Sequence, residues 1–292
     1  MAKTVLALGM FDGMHLGHKK LIDTAVLLAK HNKLQPACFT FSNHPQELFG
    51  GKVARLITNE ERAKIMQRLG VERIEEVEFT REIAGLSPER FLDMLKERFD
   101  PQIIVAGYNY TFGKGKRGNA ELLSKLAPQK DVGVAIVPAV TVGKQPVSST
   151  RIRELLEKGD VSSVQLLLGR TYTLEGTVVE DRRIGRTIGF PTANIEPDLS
   201  RAIPMDGVYV SMAELGGEVL PAVTNIGTNP TVGGTERTIE TNIFDFDGDI
   251  YGKELRVHFV KRLRPVMTFA GLDELKAQIA KDSAQARKYL GC

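Results

Sequence analysis

The chain has 292 residues, 42% hydrophobic and 26% charged, and its 39 Lys and Arg against 36 Asp and Glu give a net charge of +3. That length predicts two domains rather than one core, and the composition is that of an ordinary globular protein, which excludes disorder as the main state. The positive excess is too small to argue for a nucleic-acid surface by itself, but it suits anionic small molecules.

Up to about residue 160, short apolar runs alternate with helical patterns, which predicts βα units and a parallel sheet. Thr4–Leu8 reads as a buried strand, 16–30 as a helix apolar at Leu21, Ile22, Ala25, Val26 and Ala29, and 37–41 as a second strand. Thr58-Asn59-Glu60-Glu61 has the capping-box pattern and opens a helix to residue 69. Ser87-Pro88 sets a cap residue before a proline at the first helical position. Further strands are predicted at 103–106 and 134–137, then helices at 149–158 and Val161–Leu168. The texture changes near Gly169, where the domain junction is placed. Beyond it, Gly and Pro punctuate alternating segments at Tyr172–Val179, 208–212, 238–244 and 255–259, which predict a small antiparallel barrel, and a helix at 272–289 closes the chain. The expected domains are 1–168 and 169–292. Cys38 and Cys292 have no CxxC neighbour, so no zinc or redox motif is read. No signal peptide or membrane span is read either, so the expectation is a cytoplasmic protein without a membrane partner.

Gly9-Met10-Phe11-Asp12-Gly13-Met14-His15-Leu16-Gly17-His18 lies between the first strand and the first helix. Ligands of open parallel sheets bind at the carboxyl ends of strands, beside helix N-termini. Gly9, Gly13 and Gly17 would allow close approach of backbone to a phosphate chain. His15 and His18, three apart, share a helix face and can donate to phosphate oxygens. Ser149 and Thr150 open a later helix, where they cap it or bind phosphate. Arg153, one turn on, is a candidate phosphate clamp. Lys114, Lys116 and Arg117 read as a solvated loop.

The His-x-Gly-His string resembles the nucleotidyltransferase superfamily. Its longer form, with Phe11, Asp12 and Gly13, resembles the bacterial bifunctional riboflavin kinase/FMN adenylyltransferase family, which usually has Asn where this chain has Met10. Three more segments resemble the same family: Thr40-Phe41-Ser42-Asn43-His44-Pro45, Gly107-Tyr108-Asn109-Tyr110-Thr111-Phe112-Gly113, and Val147-Ser148-Ser149-Thr150-Arg151-Ile152-Arg153. The resemblance implies an adenylyltransferase site that binds ATP through Gly9, Phe11, Asp12, Gly13, His15, Gly17, His18, Ser149, Thr150 and Arg153. It implies flavin contacts from Asn43, His44, Pro45, Asn109 and Phe112. His15 and His18 would be catalytic.

In the second half, Gly185-Arg186-Thr187-Ile188-Gly189-Phe190-Pro191-Thr192-Ala193-Asn194 resembles the riboflavin kinase signature, and Asn225–Thr231 and 238–246 resemble further kinase segments. The resemblance implies ATP and magnesium binding by Gly185, Arg186, Gly189, Pro191, Thr192 and Asn194. Thr192 and Asn194 are hard oxygen donors of the kind that suits Mg2+. Alternation along 238–246 turns Ile239, Thr241 and Ile243 one way, and Glu240 and Asn242 the other. Glu240 matches the family's general base on the ribityl hydroxyl. Two departures stand out: Glu180-Asp181 takes the place of a His-Gly pair, and Asn242 stands where His is frequent.

The implied fold is α/β: a Rossmann-like nucleotidyltransferase domain with a parallel sheet, then a small antiparallel β-barrel kinase domain with a C-terminal helix. The implied function is phosphorylation of riboflavin to FMN and adenylylation of FMN to FAD, with ATP as co-substrate and Mg2+ as cofactor. Small-molecule flavins and ATP are the expected partners; no nucleic acid is expected, and self-association is left open. Two alternatives stay open at this point: an FAD synthetase with an impaired kinase half, and a flavin- or RNA-binding regulatory paralogue.

Overall fold

The computed structural model describes residues 2–180, 190–196, 198–231 and 234–292, and the side chains of residues 229–236 lie outside that description. Asp181, Gly185, Arg186 and Gly189 fall outside the described residues. The chain divides into two compact units, Met1–Ser149 and Thr150–Cys292.

The first unit runs β1 (Thr4–Leu8), α1 (Leu16–Asn32), β2 (Gln35–Phe41), α2 (Asn59–Arg68), β3 (Arg73–Val77), α3 (Arg81–Gly85), α4 (Pro88–Phe99) and β4 (Pro101–Gly107). A hairpin of β5 (Thr111–Phe112) and β6 (Gly118–Asn119) follows, then α5 (Ala120–Leu126), β7 (Gly133–Val137) and a second hairpin of β8 (Thr141–Val142) and β9 (Gln145–Pro146). Five of these strands form one parallel sheet in the order β3-β2-β1-β4-β7. β1 is buried along its whole length. Val5 and Ala7 pack with Ile22 and Ala25 of α1, while Leu6 and Leu8 face Phe39, Phe91 and Leu95. A strand covered on both faces must be apolar at every position, which is why this run is uninterrupted. The helix starts obey their capping chemistry. Thr58 and Glu61 form the reciprocal capping box of α2, and Ser87 accepts from the Arg90 amide ahead of Pro88 in α4.

The order of this sheet fixes the site. β1 has β2 on one side and β4 on the other, so the chain reverses its winding direction beside β1. The exits of β2, β1 and β4 therefore lie next to one another at the carboxyl edge, at a topological switch point.

In the second unit, α6 (Ser149–Glu157, beginning at the last residue of the first unit) and α7 (Val161–Leu168) precede β10 (Tyr172–Val179), β11 (Ala193–Ile195), β12 (Gly207–Leu215), β13 (Glu218–Thr231), β14 (Gly234–Ile243), β15 (Glu254–Arg264) and α8 (Leu272–Leu290). The strands close into an antiparallel barrel in the order β10-β11-β14-β13-β12-β15. Alternation sends Ser211, Thr224 and Thr241 inside, where their hydroxyls link at 2.7 and 3.0 Å, so these buried polar groups are satisfied. On the opposite faces of the same strands, Val208, Val210, Val223 and Phe244 pack with Ala286 of α8. Asp282 of α8 accepts a forked pair of bonds from Arg264 at 3.0 and 2.7 Å, a nearly dry ion pair that fixes the helix on the barrel.

Candidate active sites

The loop from Gly9 to His15 is tightly built. Phe11 and Met14 are buried with φ of 53° and 43°, left-handed values that non-glycine residues rarely adopt and that cluster at functional sites. Gly13 has φ +82°, and a Cβ there would meet Leu56 Cδ1 at 2.8 Å. Asp12, buried, accepts from the Leu56 amide through Oδ1 at 2.9 Å, and its own carbonyl accepts from the Ser149 hydroxyl at 2.9 Å.

His15 is the N-cap of α1. Its Nδ1 accepts from the His18 amide at 3.2 Å, so a neutral His15 carries its proton on Nε2, where it is a donor. The two imidazoles stack, with centroids 3.6 Å apart and planes 15° apart, and Phe11 meets His18 edge-on at 5.4 Å. Gly17 has a specific reason. A Cβ there would lie 3.1 Å from His15 Cε1 and 3.2 Å from Nδ1, so the absent side chain makes room for the imidazole. The His-x-Gly-His spacing thus combines a ring-nitrogen cap, a second ring one turn on, and the gap that lets them stack. Burial first, then His15 and the Arg62 guanidinium, hold His18 well below its usual basicity. Its buried Nδ1 has no hydrogen-bond partner among the described residues. His18 thus brings a buried ring nitrogen to the N-terminal turn of α1, where the helix dipole favours anions.

Arg62 belongs to no motif, and no local pattern marks it. Buried in α2, it donates to the Met10 and Phe41 carbonyls at 2.9 Å each and pairs with Glu76 of β3 at 2.9 Å. One guanidinium therefore joins the ends of β1, β2 and β3 beneath the histidine loop. Asn43 uses both amide atoms on the Phe79 backbone, accepting at 2.6 Å and donating at 3.3 Å. His44 Nδ1 accepts from the Gln46 amide, and Pro45 is half-buried beside it. At the end of β4, Asn109 is exposed, with its Oδ1 close over Gly107. Phe112 is 6% exposed and packs on Phe91 and Tyr110, supporting that loop from below. Thr150 stands in the first turn of α6 and Arg153 one turn on, both within the second unit.

On the barrel, β11, β14 and β13 are neighbours, and their registers align three polar residues. Asn194 pairs with Glu240, and Glu240 pairs with Asn225 on its other side. Directly opposed residues share a face with Cβ atoms about 5 Å apart. The result is a carboxylate flanked by two carboxamides, all half-buried on the outer face. Thr238 donates to Glu240 Oε1 at 3.2 Å, and Asn242, two residues along the same face, donates to the Pro191 carbonyl at 2.7 Å. Thr192 is half-buried just before β11. The row of carboxylate, amides and a hydroxyl can accept a proton from an alcohol and present neutral oxygens to a cation. Asn225 is the member that motif reading overlooked. Its segment was legible as kinase-like, but only the strand register places it beside Glu240.

The chain is similar to known proteins over both units. Residues 1–151 match the FAD synthetase family model and residues 168–290 match the riboflavin kinase model. The bifunctional riboflavin kinase/FMN adenylyltransferase of Bacillus subtilis (strain 168) is 38% identical over 99% of this chain and 93% of its own length. The enzyme of the same description from Escherichia coli (strain K12) is 35% identical over 98% and 93%. A crystal structure described as a macrolide-efflux protein from Streptococcus pneumoniae has a TM-score of 0.92 at 35% identity, covering 98% of this chain and 94% of that one. The efflux description belongs to that protein, and its contribution here is the shared fold; no helix among the described residues of this chain is long and apolar enough to cross a membrane. With both family models matched in order and full-length relatives above 30% identity, the chain belongs to the bifunctional riboflavin kinase/FMN adenylyltransferase family.

Proposed function

We propose that this chain phosphorylates riboflavin to FMN on its barrel and adenylylates FMN to FAD on its parallel-sheet domain, with ATP as co-substrate in both steps. The observation that carries the reading is the register that sets Glu240 between Asn194 and Asn225. We assign residues 1–168 to adenylylation and 169–292 to the kinase, and place the protein in the cytoplasm.

In the kinase step a neutral alcohol must lose its proton as it attacks the γ-phosphate, and Glu240 is the base within reach. Thr192 and Asn194 offer neutral oxygen donors suited to Mg2+, which would supply charge neutralisation on the phosphates when bound. In the adenylylation step the nucleophile is the phosphate of FMN, already ionised at neutral pH. The protein's task is then alignment and neutralisation of the departing pyrophosphate. His15 Nε2–H and His18, at the N-terminus of α1, take that role. Asn43 and Asn109 border this loop from the exits of β2 and β4, consistent with a flavin lying across the switch point.

The test is a chromatographic product assay on the purified chain with ATP and magnesium, started either from riboflavin or from FMN. FMN followed by FAD from riboflavin is the expected result. FAD from FMN with nothing from riboflavin would remove the kinase half of the reading, and no product in either tube would remove both halves.

A further inference from the structure

We propose that Asn242 is a positioning residue for phosphoryl transfer: its side chain fixes the Pro191 carbonyl and so sets the direction in which Thr192 and Asn194 face the nucleotide. The inference rests on the kinase reading of the barrel.

The β11–β14 ladder pairs Ile195 with Ile239, Asn194 with Glu240 and Ala193 with Thr241, and there it stops. One step further, Thr192 would face Asn242. Pro191, one residue beyond, has no N–H to give to a strand partner. At that point the Asn242 side chain takes over, donating from Nδ2 to the Pro191 carbonyl at 2.7 Å. Asn242 is itself only 9% exposed, and it lies opposite Val223, which packs in the apolar cluster that includes Ala286 of α8. Its rotamer is therefore held by packing, and it is a firm anchor. Pro191, by contrast, is exposed. A residue this exposed has no need of the bond for burial. What the bond supplies is direction. A single strand thus carries both Glu240 and, two residues on and on the same face, the clamp on the segment that presents Thr192 and Asn194. A histidine at this position would also have a ring N–H to donate, so it can restore the donor with a different side chain.

The experiment compares Asn242→Leu, of similar volume without a donor, Asn242→Asp, isosteric without an N–H when ionised, and Asn242→His, which restores a donor, all in the full-length chain. Expected for Leu and Asp is a fall of about tenfold or more in FMN formation, of the size seen when a supporting hydrogen bond to a functional group is lost. The KM for MgATP should rise more than the KM for riboflavin, and FAD formation from supplied FMN should stay at wild-type level. His should recover most of the lost rate. Hydrogen–deuterium exchange supplies a readout independent of activity: amides 192–195 should exchange faster in the Leu and Asp variants but not in His, with the rest of the barrel unchanged. Wild-type FMN formation in both Leu and Asp, or loss in His as deep as in Leu, would overturn the proposal, as would unaltered exchange at 192–195. If Leu also lost FAD formation through misfolding, Asp would decide by the same criteria. A wild-type chain that forms no FMN would overturn the kinase reading itself, a result distinguishable because it appears before any substitution.

Discussion

Arg62→Met should destabilise the first unit by about 3 kcal/mol. The side chain is buried and holds three acceptors: the carbonyls of Met10 and Phe41, and the Glu76 carboxylate. Methionine keeps the stem and its packing but removes the guanidinium. Breaking a buried ion pair from one side costs about 3–5 kcal/mol, because a charge is left without its partner. Two structural details move the value to the lower end. The Glu76 side chain is 24% exposed and can rehydrate, and the Met10 carbonyl keeps the Thr40 hydroxyl at 3.2 Å. For a unit of this size, each kcal/mol shifts the midpoint by about 2–4 °C, so the expected fall is about 6–12 °C. The assay is thermal inactivation followed separately by FAD formation from FMN and by FMN formation from riboflavin. The first should be lost at the lower temperature, while the second follows the barrel. Arg62→Lys should fall between, because an ammonium keeps the charge without the planar fork that spans three acceptors. A midpoint within about 2 °C of wild type for Arg62→Met would refute the argument that this guanidinium joins the three strand ends, since about 1 kcal/mol or less would then be at stake.

Glu240→Gln should abolish FMN formation and spare FAD formation from supplied FMN, and His18→Ala should do the reverse; chromatography of both products checks each, and loss of both steps in a folded variant would contradict the two-site assignment. Gly17→Ala should leave stability unchanged or slightly raised, because alanine favours a helix by about 1 kcal/mol, yet it should slow FAD formation at least tenfold because its Cβ would crowd His15 Cε1 at 3.1 Å; melting and activity measured on one preparation separate the two effects. His18, whose basicity is lowered in the folded state, adds a pH dependence of known sign. The unfolded chain binds the extra proton below about pH 6.5, so stability present above that pH is lost as pH falls toward the folded-state value. The melting midpoint of wild type should therefore drop more between pH 7.5 and 5.5 than that of His18→Gln, and equal drops would remove His18 as the source.

The parts legible in sequence were those where one local rule suffices. β1 is apolar throughout because both its faces are covered, and the starts of α2 and α4 announce themselves through Thr58, Glu61, Ser87 and Pro88. β3 escaped notice because it is the sheet edge: its Arg73-Ile74-Glu75-Glu76-Val77 is charged, as edge strands are, and gives no apolar run. β13 escaped for another reason. Pro221 and Pro230 lie within it, and prolines argue against a paired strand when only local pattern is used. The site divides in the same way. His15, Gly17 and His18 are contiguous, so their spacing could be read directly. Asn225 and Arg62 act across strands and from a neighbouring helix, and no periodicity within their own segments marks them.

The proposed scheme also gives a physical reason for two sites rather than one. The kinase nucleophile is a neutral alcohol, which needs a carboxylate base; the row Asn194–Glu240–Asn225 supplies a carboxylate between two carboxamides. The adenylylation nucleophile is a phosphate bearing its own charge, and a carboxylate against it would repel it at the moment of attack. At about 4 Å, like charges near a protein surface repel by about 4 kcal/mol, roughly a thousandfold in rate. The histidine loop does the opposite: its imidazoles and the N-terminus of α1 offer ring N–H donors and the positive end of a helix dipole to an arriving anion. A single pocket tuned for either nucleophile would therefore handicap the other. Placing Glu240 on a barrel and the histidine pair on a parallel sheet, in separate compact units, lets each local electrostatic environment suit its own step.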